Sequence, residues 1–470
     1  MARSVPKSVL IVGSGVFGLS TAWALSKRPE FAQTSITVVD DVRGGEFPPG
    51  DCASVDSSRI IRADYSDSAY TALAAVAQQE WRKQGDADLG GQGRYSESGL
   101  VLTADHPKKK REGKLTGMDY TRNSWKNVAQ IAEQGGYPAG KVRALENPQA
   151  LMDVVHTGEK PGDWGYVNEL SGWADAGKGM QWLFARVKAT GRVKFVDAKV
   201  NQLVTEGSRV VGAQLDDKSV LKADLVYVAA GAWTGQLVDL RGRTEATGHV
   251  LGYVEISQEE LDILSKQPVL LNLTTGLFII PPQERVLKTA RHSFGYLNPV
   301  TVTTALPLSP SEPRQPIVTS LPMTTRNGGP GRLPTEADID LRRALKQLSP
   351  VKGLENRPWK ETRICWYSDT IDGDWLVDYH PGWEGLFIAT GDSGHGYKFL
   401  PVLGDKVADC ILGLGGELGY KWRWKDVADE KAGRVTDGKF VGLITEDGSR
   451  GGEPGMVLED ELGKGESSKL

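Results

Sequence analysis

The glycine turn at residues 13–18 constrains the fold of this chain more than any other segment. It follows a short apolar, β-branched run at 8–12 and leads into a second apolar stretch, an order that predicts strand, turn and helix. Gly13 permits the sharp turn, and Gly15 lets a pyrophosphate approach the backbone at the helix N-terminus. Gly18 lets the helix pack closely on the strand. The segment therefore predicts a dinucleotide-binding turn.

The residues that follow the turn strengthen this interpretation. The predicted helix begins with Val16 and Phe17, which we include among the cofactor contacts. The run 36–39 predicts a second strand that ends at Asp40, about where a ribose hydroxyl needs an acceptor. A glycine turn alone also occurs in α/β domains that bind no nucleotide. Two strands, a helix and a carboxylate in this order favour a dinucleotide site.

A second glycine turn at residues 391–398 also opens a predicted helix, far along the chain. Two such turns suit a cofactor with two ends better than a nicotinamide that comes and goes. One turn holds the pyrophosphate, while the other directs a helix dipole and a lysine charge at a ring that becomes anionic on reduction, as a flavin does. The second turn contributes Gly394, Gly396, Tyr397 and Lys398 to the predicted FAD site.

Two further segments carry candidate ligand contacts. The buried strand predicted at 223–229 ends in small residues around Gly231 and Trp233, where the backbone can approach a ligand. Arg59 and Arg62 follow the second strand, separated by two apolar residues. Their spacing alone leaves two interpretations open, as ligand contacts or as surface charges.

The order of these patterns predicts an α/β chain with a discontinuous dinucleotide-binding domain and a second domain made of short alternating strands. A Pro/Gly/Ser-rich stretch at 308–334 predicts a long surface loop. The predicted segments are 1–85, 166–243 and 356–420 for the dinucleotide-binding domain, 86–165 and 244–355 for the substrate domain, and 421–470 for a C-terminal tail.

Composition limits the classes of partner. Lysine and arginine total 56 against 60 aspartate and glutamate, so the net charge of −4 predicts no general attraction to nucleic acid or to an anionic membrane surface. No apolar run approaches the ~20 residues that cross a bilayer. Cys52, Cys365 and Cys410 have no metal-ligand spacing with another cysteine or histidine, so no metal site is predicted. We expect small-molecule partners.

The last three residues, Ser468, Lys469 and Leu470, match the address read by the peroxisomal import receptor. They follow a polar, glycine-rich tail, in which three such residues can also stand by accident. The match predicts a peroxisomal protein.

The sequence resembles the flavin amine oxidases that include monomeric sarcosine oxidase, pipecolate and saccharopine oxidases, and the fungal fructosyl-amino-acid oxidases, or amadoriases. The resemblance spans nearly the whole chain and is carried by the first glycine turn and by residues 58–62, 165–168, 287–288, 363–366 and 393–399. It implies a glutathione-reductase-type, Rossmann-like FAD-binding domain and a second, mainly antiparallel β-sheet substrate domain. It also favours a monomer.

The resemblance implies roles for individual residues. Cys365 matches the thiol that is linked covalently to the flavin 8-methyl carbon. Lys288 matches the lysine over the flavin ring, where a positive charge stabilises superoxide forming from O₂. Arg62 and Lys398 match the pair that holds a substrate carboxylate.

Further positions match the cofactor and substrate surroundings of the family. Arg59 matches the arginine that flanks the flavin, next to Ser58, and Val200 matches a backbone contact on the adenine side. His292 falls where sarcosine oxidase has an active-site histidine and where the fructosyl oxidases have an acidic residue. We count Lys288, Arg59 and His292 as the predicted catalytic residues.

These matches predict an FAD enzyme that oxidises the C–N bond of a secondary amine in an N-substituted or cyclic amino acid, giving an imine and H₂O₂. Two alternatives stay open within the family. One is a fructosyl-amino-acid oxidase, although those enzymes lack the two-arginine segment. The other is a biosynthetic oxidase whose imine is captured by an aromatic ring of the same substrate, in an alkaloid (isoquinoline) type of product.

Two interpretations from other protein classes fit the sequence less well. A nicotinamide dehydrogenase would use the first glycine turn but has no need of Cys365 or of the second turn. A flavin-binding protein without catalysis would keep both turns and lose Lys288 and the carboxylate pair. All of those residues are present.

Overall fold

The computed structural model describes residues 3–107, 114–329, 331–427 and 429–467. Strands are numbered in chain order. They are β1 Ser8–Val12, β2 Ser35–Asp40, β3 Arg59–Ile61, β4 Tyr95–Ser96, β5 Leu100–Ala104, β6 Val142–Leu145, β7 Trp164–Asn168, β8 Gly172–Ala174, β9 Val193–Asp197, β10 Val200–Glu206, β11 Arg209–Leu215, β12 Val220–Lys222, β13 Leu225–Val228, β14 Glu245–Glu255, β15 Val269–Asn272, β16 Leu277–Ile280, β17 Val286–Arg291, β18 Pro299–Val302, β19 Ile317–Ser320, β20 Glu361–Asp369, β21 Leu376–Tyr379, β22 Leu386–Thr390, β23 Arg434–Thr436 and β24 Lys439–Val441.

The α-helices are numbered in the same way. They are α1 Val16–Lys27, α2 Ser68–Trp81, α3 Gly117–Gln134, α4 Pro148–Val155, α5 Ala176–Ala189, α6 Thr234–Leu237, α7 Gln258–Leu264, α8 Thr335–Leu348, α9 Leu400–Ile411, α10 Gly416–Lys421 and α11 Leu458–Ser467. Short 3₁₀ turns cover Pro29–Phe31, Gly231–Trp233, Thr325–Asn327, Leu354–Asn356 and Tyr397–Phe399. None of the described helices is both long and apolar enough to span a bilayer.

The first large sheet is parallel apart from one edge strand. Its order is β21-β22-β13-β1-β2-β9, and β21 runs antiparallel to β22. Such a sheet is covered on both faces, which explains why the β-branched residues of β1 and β13 are buried. The carboxyl ends of β1, β2 and β13 meet at one edge, where ligands bind in open α/β sheets. The predicted α/β fold is confirmed.

The second large sheet has the order β20-β14-β17-β16-β15-β5-β7-β6. Neighbouring strands are antiparallel except for the parallel pair β5 and β15, which confirms the predicted, mainly antiparallel second sheet. Adjacent strands β20, β14 and β17 carry Cys365, His249 and Lys288 respectively. The three strands at one end of this sheet therefore bring the predicted site residues Cys365 and Lys288, which are distant in sequence, close together.

Two strands of the antiparallel sheet do not follow the predicted division into domain segments. Strand β20 lies in segment 356–420 and β7 spans the limit near 165, yet both belong to the antiparallel sheet. The domain limits themselves stay a prediction.

The predicted long loop at 308–334 is wrong in part. Residues Ile317–Ser320 form β19, which pairs with β18 at Pro299–Val302. Both runs contain valine and threonine, whose β-branched side chains favour strands, and the two strands pair antiparallel. Apart from the 3₁₀ turn Thr325–Asn327, the other described residues of the stretch have the irregular backbone that its composition predicts.

The tail is packed on the body rather than left apart from it. Trp422 is fully buried, and its backbone carbonyl accepts a hydrogen bond from the N–H of Val377 on β21 at 2.8 Å. Further along, Leu297 and Leu458 are joined by a backbone hydrogen bond, and Leu458 is buried. The predicted peroxisomal residues 468–470 lie outside the described residues.

Candidate active site

A cavity of about 450 Å³ opens at the carboxyl edge of the parallel sheet. Residues from the first glycine turn and from the ends of β2 and β13 line one side, and Asn298, Val300 of β18 and residues after β19 line the other. Eight of the predicted cofactor contacts lie on its wall, namely Gly13, Gly15, Val16, Phe17, Asp40, Val200, Gly231 and Trp233. The structure therefore gathers the predicted dinucleotide contacts around one space.

The first glycine turn has no room for side chains at two positions. Gly13 has a φ of +102°, and a Cβ there would lie 2.5 Å from the carbonyl oxygen of Ala229. A Cβ on Gly18 would lie 2.0 Å from the carbonyl oxygen of Gly13. Gly18 thus packs the helix against the turn, as predicted, and does not itself line the cavity.

Asp40 ends β2 beside this turn. Its Oδ2 accepts hydrogen bonds from the backbone N–H of Ser14 at 2.8 Å and from the Ser14 hydroxyl at 2.6 Å. Burial raises the pKa of the Asp40 carboxyl, which these hydrogen bonds oppose. Asp40 stands where the ribose acceptor is predicted, and it also fixes the conformation of the turn.

Residues 321–327, which we call the strap, cover the open side of the cavity. Arg326 donates to Asp51 at 3.0 Å and to the carbonyl oxygen of Asp41 at 3.1 Å. Thr324 donates to the other oxygen of Asp51 at 3.0 Å, and Trp366 donates to the carbonyl oxygen of Met323 at 3.0 Å. These bonds hold the strap against the cofactor side of the molecule.

The second glycine turn meets the first. A Cβ on Gly396 would lie 3.4 Å from the ring of Phe17, and Asp392 lines the same cavity as the first turn. Gly394 has a φ of +69°, and a Cβ there would lie 2.2 Å from the ring of Tyr367. The two turns are thus neighbours in space although they are far apart in sequence, as a cofactor with two ends requires.

Beyond the cavity, Asp56 anchors two predicted catalytic cations. Lys288 Nζ donates to Asp56 Oδ2 at 2.7 Å and to the carbonyl oxygen of Ser58 at 2.8 Å. Arg59 forms a short ion pair with the same carboxylate oxygen, and the Tyr253 hydroxyl donates to Oδ1 at 2.6 Å. This carboxylate therefore fixes both cations at one point.

The charges in this cluster control one another's ionisation. Burial disfavours the charged form of Asp56, but the Lys288 and Arg59 cations hold its pKa well below the usual range. Burial lowers the pKa of Lys288 to about 8, and Arg59 adds to that effect while Asp56 opposes it. Lys288 is thus a buried cation that can lose its proton in mildly alkaline solution.

Cys365 lies in the same cluster. It is buried on β20, paired with His249 of β14 in the sheet register. Arg59 Nη2 donates to its Sγ at 3.5 Å and to the carbonyl oxygen of Ala53, a cavity-lining residue, at 2.7 Å. The predicted covalent attachment point and the cavity wall therefore share one guanidinium group.

Arg62 and Lys398 lie over the same aromatic ring. The Arg62 guanidinium carbon is 5.0 Å from the centre of the Tyr65 ring, and Lys398 Nζ is 5.3 Å from it. Both residues are buried, and neither forms a salt bridge with a carboxylate of the described residues. Lys398 donates to the carbonyl oxygen of His395 at 3.0 Å, while Arg62 Nη1 has no hydrogen-bond partner in the described part of the chain.

Arg62 and Lys398 raise the electrostatic potential at this point, although the Asp64 charge favours the charged form of both. Burial and the Arg62 charge lower the pKa of Lys398 well below its ordinary value. The pKa of Arg62 stays above its ordinary value despite burial, because the surrounding tyrosines and Asp64 favour the cation. A bound anion would be stabilised by both groups.

His292 follows β17 and faces the tail. Its Nε2 lies 3.4 Å from the hydroxyl oxygen of Ser449. Burial lowers the pKa of His292 well below its ordinary value, and the Arg450 charge lowers it further. The imidazole is therefore neutral near pH 7 and can accept a hydrogen bond.

A family model described as FAD dependent oxidoreductase matches residues 8–410. This chain belongs to that FAD-dependent oxidoreductase family. The match covers both glycine turns, β17 and β20, and so includes every element that carries a predicted site residue.

Relatives of the oxidase extend the finding. Amino acid oxidase imqH of Aspergillus flavus is 33% identical over 451 residues, covering 87% of this chain and 93% of the relative. L-saccharopine oxidase of Schizosaccharomyces pombe is 28% identical, covering 91% and 95%. The crystal structure of a fructosyl amine:oxygen oxidoreductase (Amadoriase I) from Aspergillus fumigatus has the same fold, with a TM-score of 0.74, 24% identity and coverage of 98% and 97%. The predicted family is confirmed, and the chain is a flavin-dependent amine oxidase.

The residues that line the cavity of the oxidase fit FAD. The cavity runs from Val200, at the predicted adenine side, to Trp366 beside Cys365. The first glycine turn, Asp40 and Val200 would hold the adenosine diphosphate half, and Arg59, Cys365 and the second turn would surround the ring half.

Some predicted contacts are placed differently from the rest. The Tyr397 hydroxyl donates to the carbonyl oxygen of Ala176 at 3.3 Å, and its ring packs on Trp81, so its side chain serves the core. Among the described residues, no cluster of histidine, cysteine, aspartate or glutamate has the geometry of a metal site.

The sequence analysis did not predict several residues that lie in the oxidase site. Asp56 and Tyr65 flank the two-arginine segment, and that position is a signal that could have singled them out. No local signal distinguishes the others, which reach the site only through strand pairing or tail packing: Tyr253, His249, Tyr367, Asp369 and Arg450.

Proposed function

We propose that the oxidase uses O₂ to oxidise the C–N bond of a secondary amine in an N-substituted or cyclic amino acid, giving an imine and H₂O₂. The observation that carries this proposal is the pair Arg62 and Lys398, two buried cations over Tyr65 without a carboxylate partner among the described residues. Buried charges are costly unless they are paired. A substrate carboxylate would supply the missing partner.

Carboxylate binding at this pair orients the remainder of the substrate. Arg62 offers a guanidinium fork and Lys398 a single ammonium group, so an α-carboxylate is fixed by several charge-assisted hydrogen bonds. Fixing one end of a small amino acid restricts the amine and its neighbouring C–H bond to a narrow range of positions. FAD, when bound, supplies the oxidising ring for that bond.

His292 supplies a neutral hydrogen-bond acceptor for the substrate amine. An amino acid with a secondary amine is protonated near pH 7, and the cation must lose a proton before it is oxidised. The His292 imidazole is neutral because burial and nearby cations lower its pKa. It can accept a hydrogen bond from the amine while Arg62 holds the carboxylate.

Lys288 supports the reaction with O₂. Asp56 holds the ammonium group at 2.7 Å in a buried cluster with Arg59. A fixed positive charge in a site of low dielectric stabilises a developing superoxide anion more strongly than a mobile one in water. We assign Lys288 this role in the oxidase.

We also propose that FAD is attached to Cys365. The thiol is buried beside the Arg59 guanidinium and next to Trp366, which lines the cavity. Acid denaturation followed by gel filtration tests the attachment, since linked flavin stays with the polypeptide. The variant Cys365→Ser should release it, whereas Cys410→Ser should not. Free flavin in the wild-type protein would contradict the attachment.

An anaerobic titration tests the substrate class. The visible flavin band is followed while sarcosine, N-methylated aromatic amino acids, L-pipecolate, L-saccharopine or a fructosyl amino acid is added. Bleaching by one of the first four, reversed by air with formation of H₂O₂, supports the proposal. Reduction by the fructosyl amino acid alone, or by none of the panel, contradicts it.

Product analysis in the same experiment separates a catabolic from a biosynthetic role. A free imine hydrolyses to a carbonyl compound and an amine. An imine captured by an aromatic ring of the same substrate keeps all of its carbon and nitrogen atoms in one cyclised product. Mass spectrometry of the reaction mixture distinguishes the two.

We further propose that the oxidase is imported into peroxisomes through Ser468, Lys469 and Leu470. The proposal is supported by the match of these residues to the receptor-read address and by the peroxide product. A fluorescent protein fused at the N-terminus should colocalise with a peroxisomal marker. Removal of the last three residues should abolish that localisation, and unchanged localisation would contradict the proposal.

A further inference from the structure

Arg450 is a buried arginine that the tail inserts among the elements of the active site. It lies far beyond the segments that carry the predicted site motifs. Its side chain and that of Asp369 are 1% and 2% exposed, and Nη2 donates to Asp369 Oδ1 at 2.6 Å. Nη2 also donates to the carbonyl oxygen of Ser393 at 2.9 Å, and Nη1 donates to that of Ser293 at 3.3 Å.

These three acceptors stand at the ends of three site-bearing elements. Asp369 ends β20, which carries Cys365, and Ser293 follows His292 beyond the end of β17. Ser393 immediately precedes Gly394 of the second glycine turn. One guanidinium group therefore joins the segments that hold the flavin ring, the substrate and the O₂-facing lysine.

Asp369, the partner of Arg450, is connected through hydrogen bonds to the stacked rings of His249 and Tyr367. Asp369 Oδ2 accepts a hydrogen bond from Thr247 at 2.6 Å, and the Thr247 hydroxyl lies 2.9 Å from His249 Nε2. The His249 ring stacks on the Tyr367 ring with 3.7 Å between their centres. Tyr367 is thus held between His249 and the backbone of Gly394.

The residues beside Arg450 hold His292. The backbone N–H of Gly451 donates to the carbonyl oxygen of His292, and the N–H of Phe294 donates to that of Gly451, both at 3.2 Å. Ser449 places its hydroxyl 3.4 Å from His292 Nε2, and Asp447 accepts a hydrogen bond from that hydroxyl at 2.7 Å. The tail therefore fixes both the backbone and the ring of His292.

The charge balance distinguishes Arg450 from a substrate-binding arginine. Arg62 has no carboxylate partner among the described residues, so it is available to an incoming anion. Arg450 is neutralised by Asp369 at 2.6 Å. An anion bound to Arg450 would have to displace a buried carboxylate, which is strongly unfavourable.

We propose that Arg450 is a positioning residue of this oxidase. It fixes the Tyr367 ring and the His292 imidazole relative to the carboxylate-binding pair Arg62 and Lys398. The C-terminal segment 445–451 is then part of the substrate site and determines which N-substituents fit beside His292. This inference rests on the proposed amine oxidation.

Kinetics of the full-length holoenzyme test the proposal with the amine that bleaches the flavin. Arg450→Met should keep the flavin content and raise KM about 10-fold or more, because a charge-assisted hydrogen-bond network is lost. Arg450→Lys should recover part of the loss. Arg423→Met, which removes an arginine that contacts Tyr420 elsewhere in the tail, is the matched control and should behave as wild type.

The pH profile separates positioning from general destabilisation. The charged and titratable groups facing His292 are Arg450 from the tail, His249 from β14, Arg62 after β3 and His395 from the second turn. Removing the Arg450 charge raises the pKa of His292, so the acid limb of kcat/KM should move to higher pH in Arg450→Met. Asp369→Asn keeps that charge and should not move the limb upward.

Hydrogen–deuterium exchange makes the inference independent of turnover. Arg450→Met should increase exchange at residues 292–297 and 393–398, and Arg423→Met should not. Ser449→Ala tests the contact with His292 in a protein that keeps the Arg450 network, and should shift the pH profile less than Arg450→Met does.

The outcomes are distinct from those of the proposed function. A wild-type flavin that no amine bleaches rejects the amine oxidation, while the exchange result still decides the structural role of Arg450. Wild-type KM, pH profile and exchange in Arg450→Met would overturn the positioning role. A uniform loss of kcat/KM at all pH values with unchanged exchange would overturn it as well.

Discussion

At the scale of single residues, the site is organised by buried charges that are either paired or left for a ligand. Asp56 forms ion pairs with Lys288 and Arg59, whereas Arg62 and Lys398 have no carboxylate partner among the described residues. Burial makes both arrangements costly to alter, since an isolated charge in the interior is poorly solvated. Substitutions at these residues should therefore separate binding from the reaction with O₂.

Lys398→Met should raise KM for the amino acid substrate by about 10- to 100-fold, because a charged hydrogen bond contributes roughly 1.5–3 kcal/mol. Steady-state kinetics with a carboxylate substrate measure the effect. Lys83→Met, which removes an exposed lysine paired with Glu80, is the control. Unchanged KM in Lys398→Met would refute the carboxylate-binding role.

Lys288→Met should slow reoxidation of the reduced flavin by O₂ about 100-fold or more, while reduction by substrate stays closer to wild type. In the wild-type oxidase the same rate should fall as the pH rises through about 8, because Lys288 loses its charge there. Stopped-flow mixing of reduced enzyme with O₂ between pH 6 and roughly pH 10 measures both effects. A rate that does not depend on pH in wild type would contradict the role of the charge.

At the scale of elements, the two glycine turns and the strap form one cofactor cavity. The turns follow strands of the parallel sheet, and the strap follows β19 of a hairpin from the other half of the chain. Asp51 is the point at which the strap is attached, through Thr324 and Arg326. Retention of the cofactor should therefore depend on the attachment of the strap.

Arg326→Met should increase the rate of FAD dissociation about 5-fold, when tested in a Cys365→Ser background that leaves the flavin unlinked, since a partly exposed ion pair contributes up to ~1 kcal/mol. Flavin fluorescence after dilution measures the release. Arg343→Met, on the exposed face of α8, should leave the rate unchanged. Equal rates in the two variants would show that the strap does not retain the cofactor.

At the scale of the whole molecule, the tail joins the two sheets. Trp422 packs on Trp375 with 4.7 Å between ring centres, and its Nε1 donates to the Tyr70 hydroxyl at 3.0 Å. Arg450 reaches the antiparallel sheet through Asp369. Stability and the shape of the substrate site are therefore linked through one terminal segment.

Trp422→Ala should lower the free energy of unfolding by about 3–5 kcal/mol, because a fully buried aromatic side chain is replaced by a cavity. Equilibrium unfolding in urea measures the change. Tyr420→Ala, two residues earlier and 69% exposed, should change it by less than about 0.5 kcal/mol. A similar stability for both variants would contradict the anchoring role of Trp422.

Local patterns in the sequence were sufficient for the elements around the cofactor. The strand predicted at 8–12 is observed as Ser8–Val12, and the strand predicted at 36–39 is observed as Ser35–Asp40. Periodicity and glycine spacing report backbone requirements that are local to a few residues. The loop predicted at 308–334 was wrong in part because the pairing partner of β19 lies outside that stretch.

The sequence by itself determined the parallel sheet, both glycine turns and the types of residue that the chemistry needs. Only the tertiary structure decided which charges are paired, since Lys288 meets Asp56 across 232 residues and Arg450 meets Asp369 across 81. Such pairs depend on strand register and on which groups are buried together, and neither is encoded in local periodicity. For this reason the sequence alone did not identify Arg450 as a site residue. It lies at the site because the tail packs against the ends of β17 and β20.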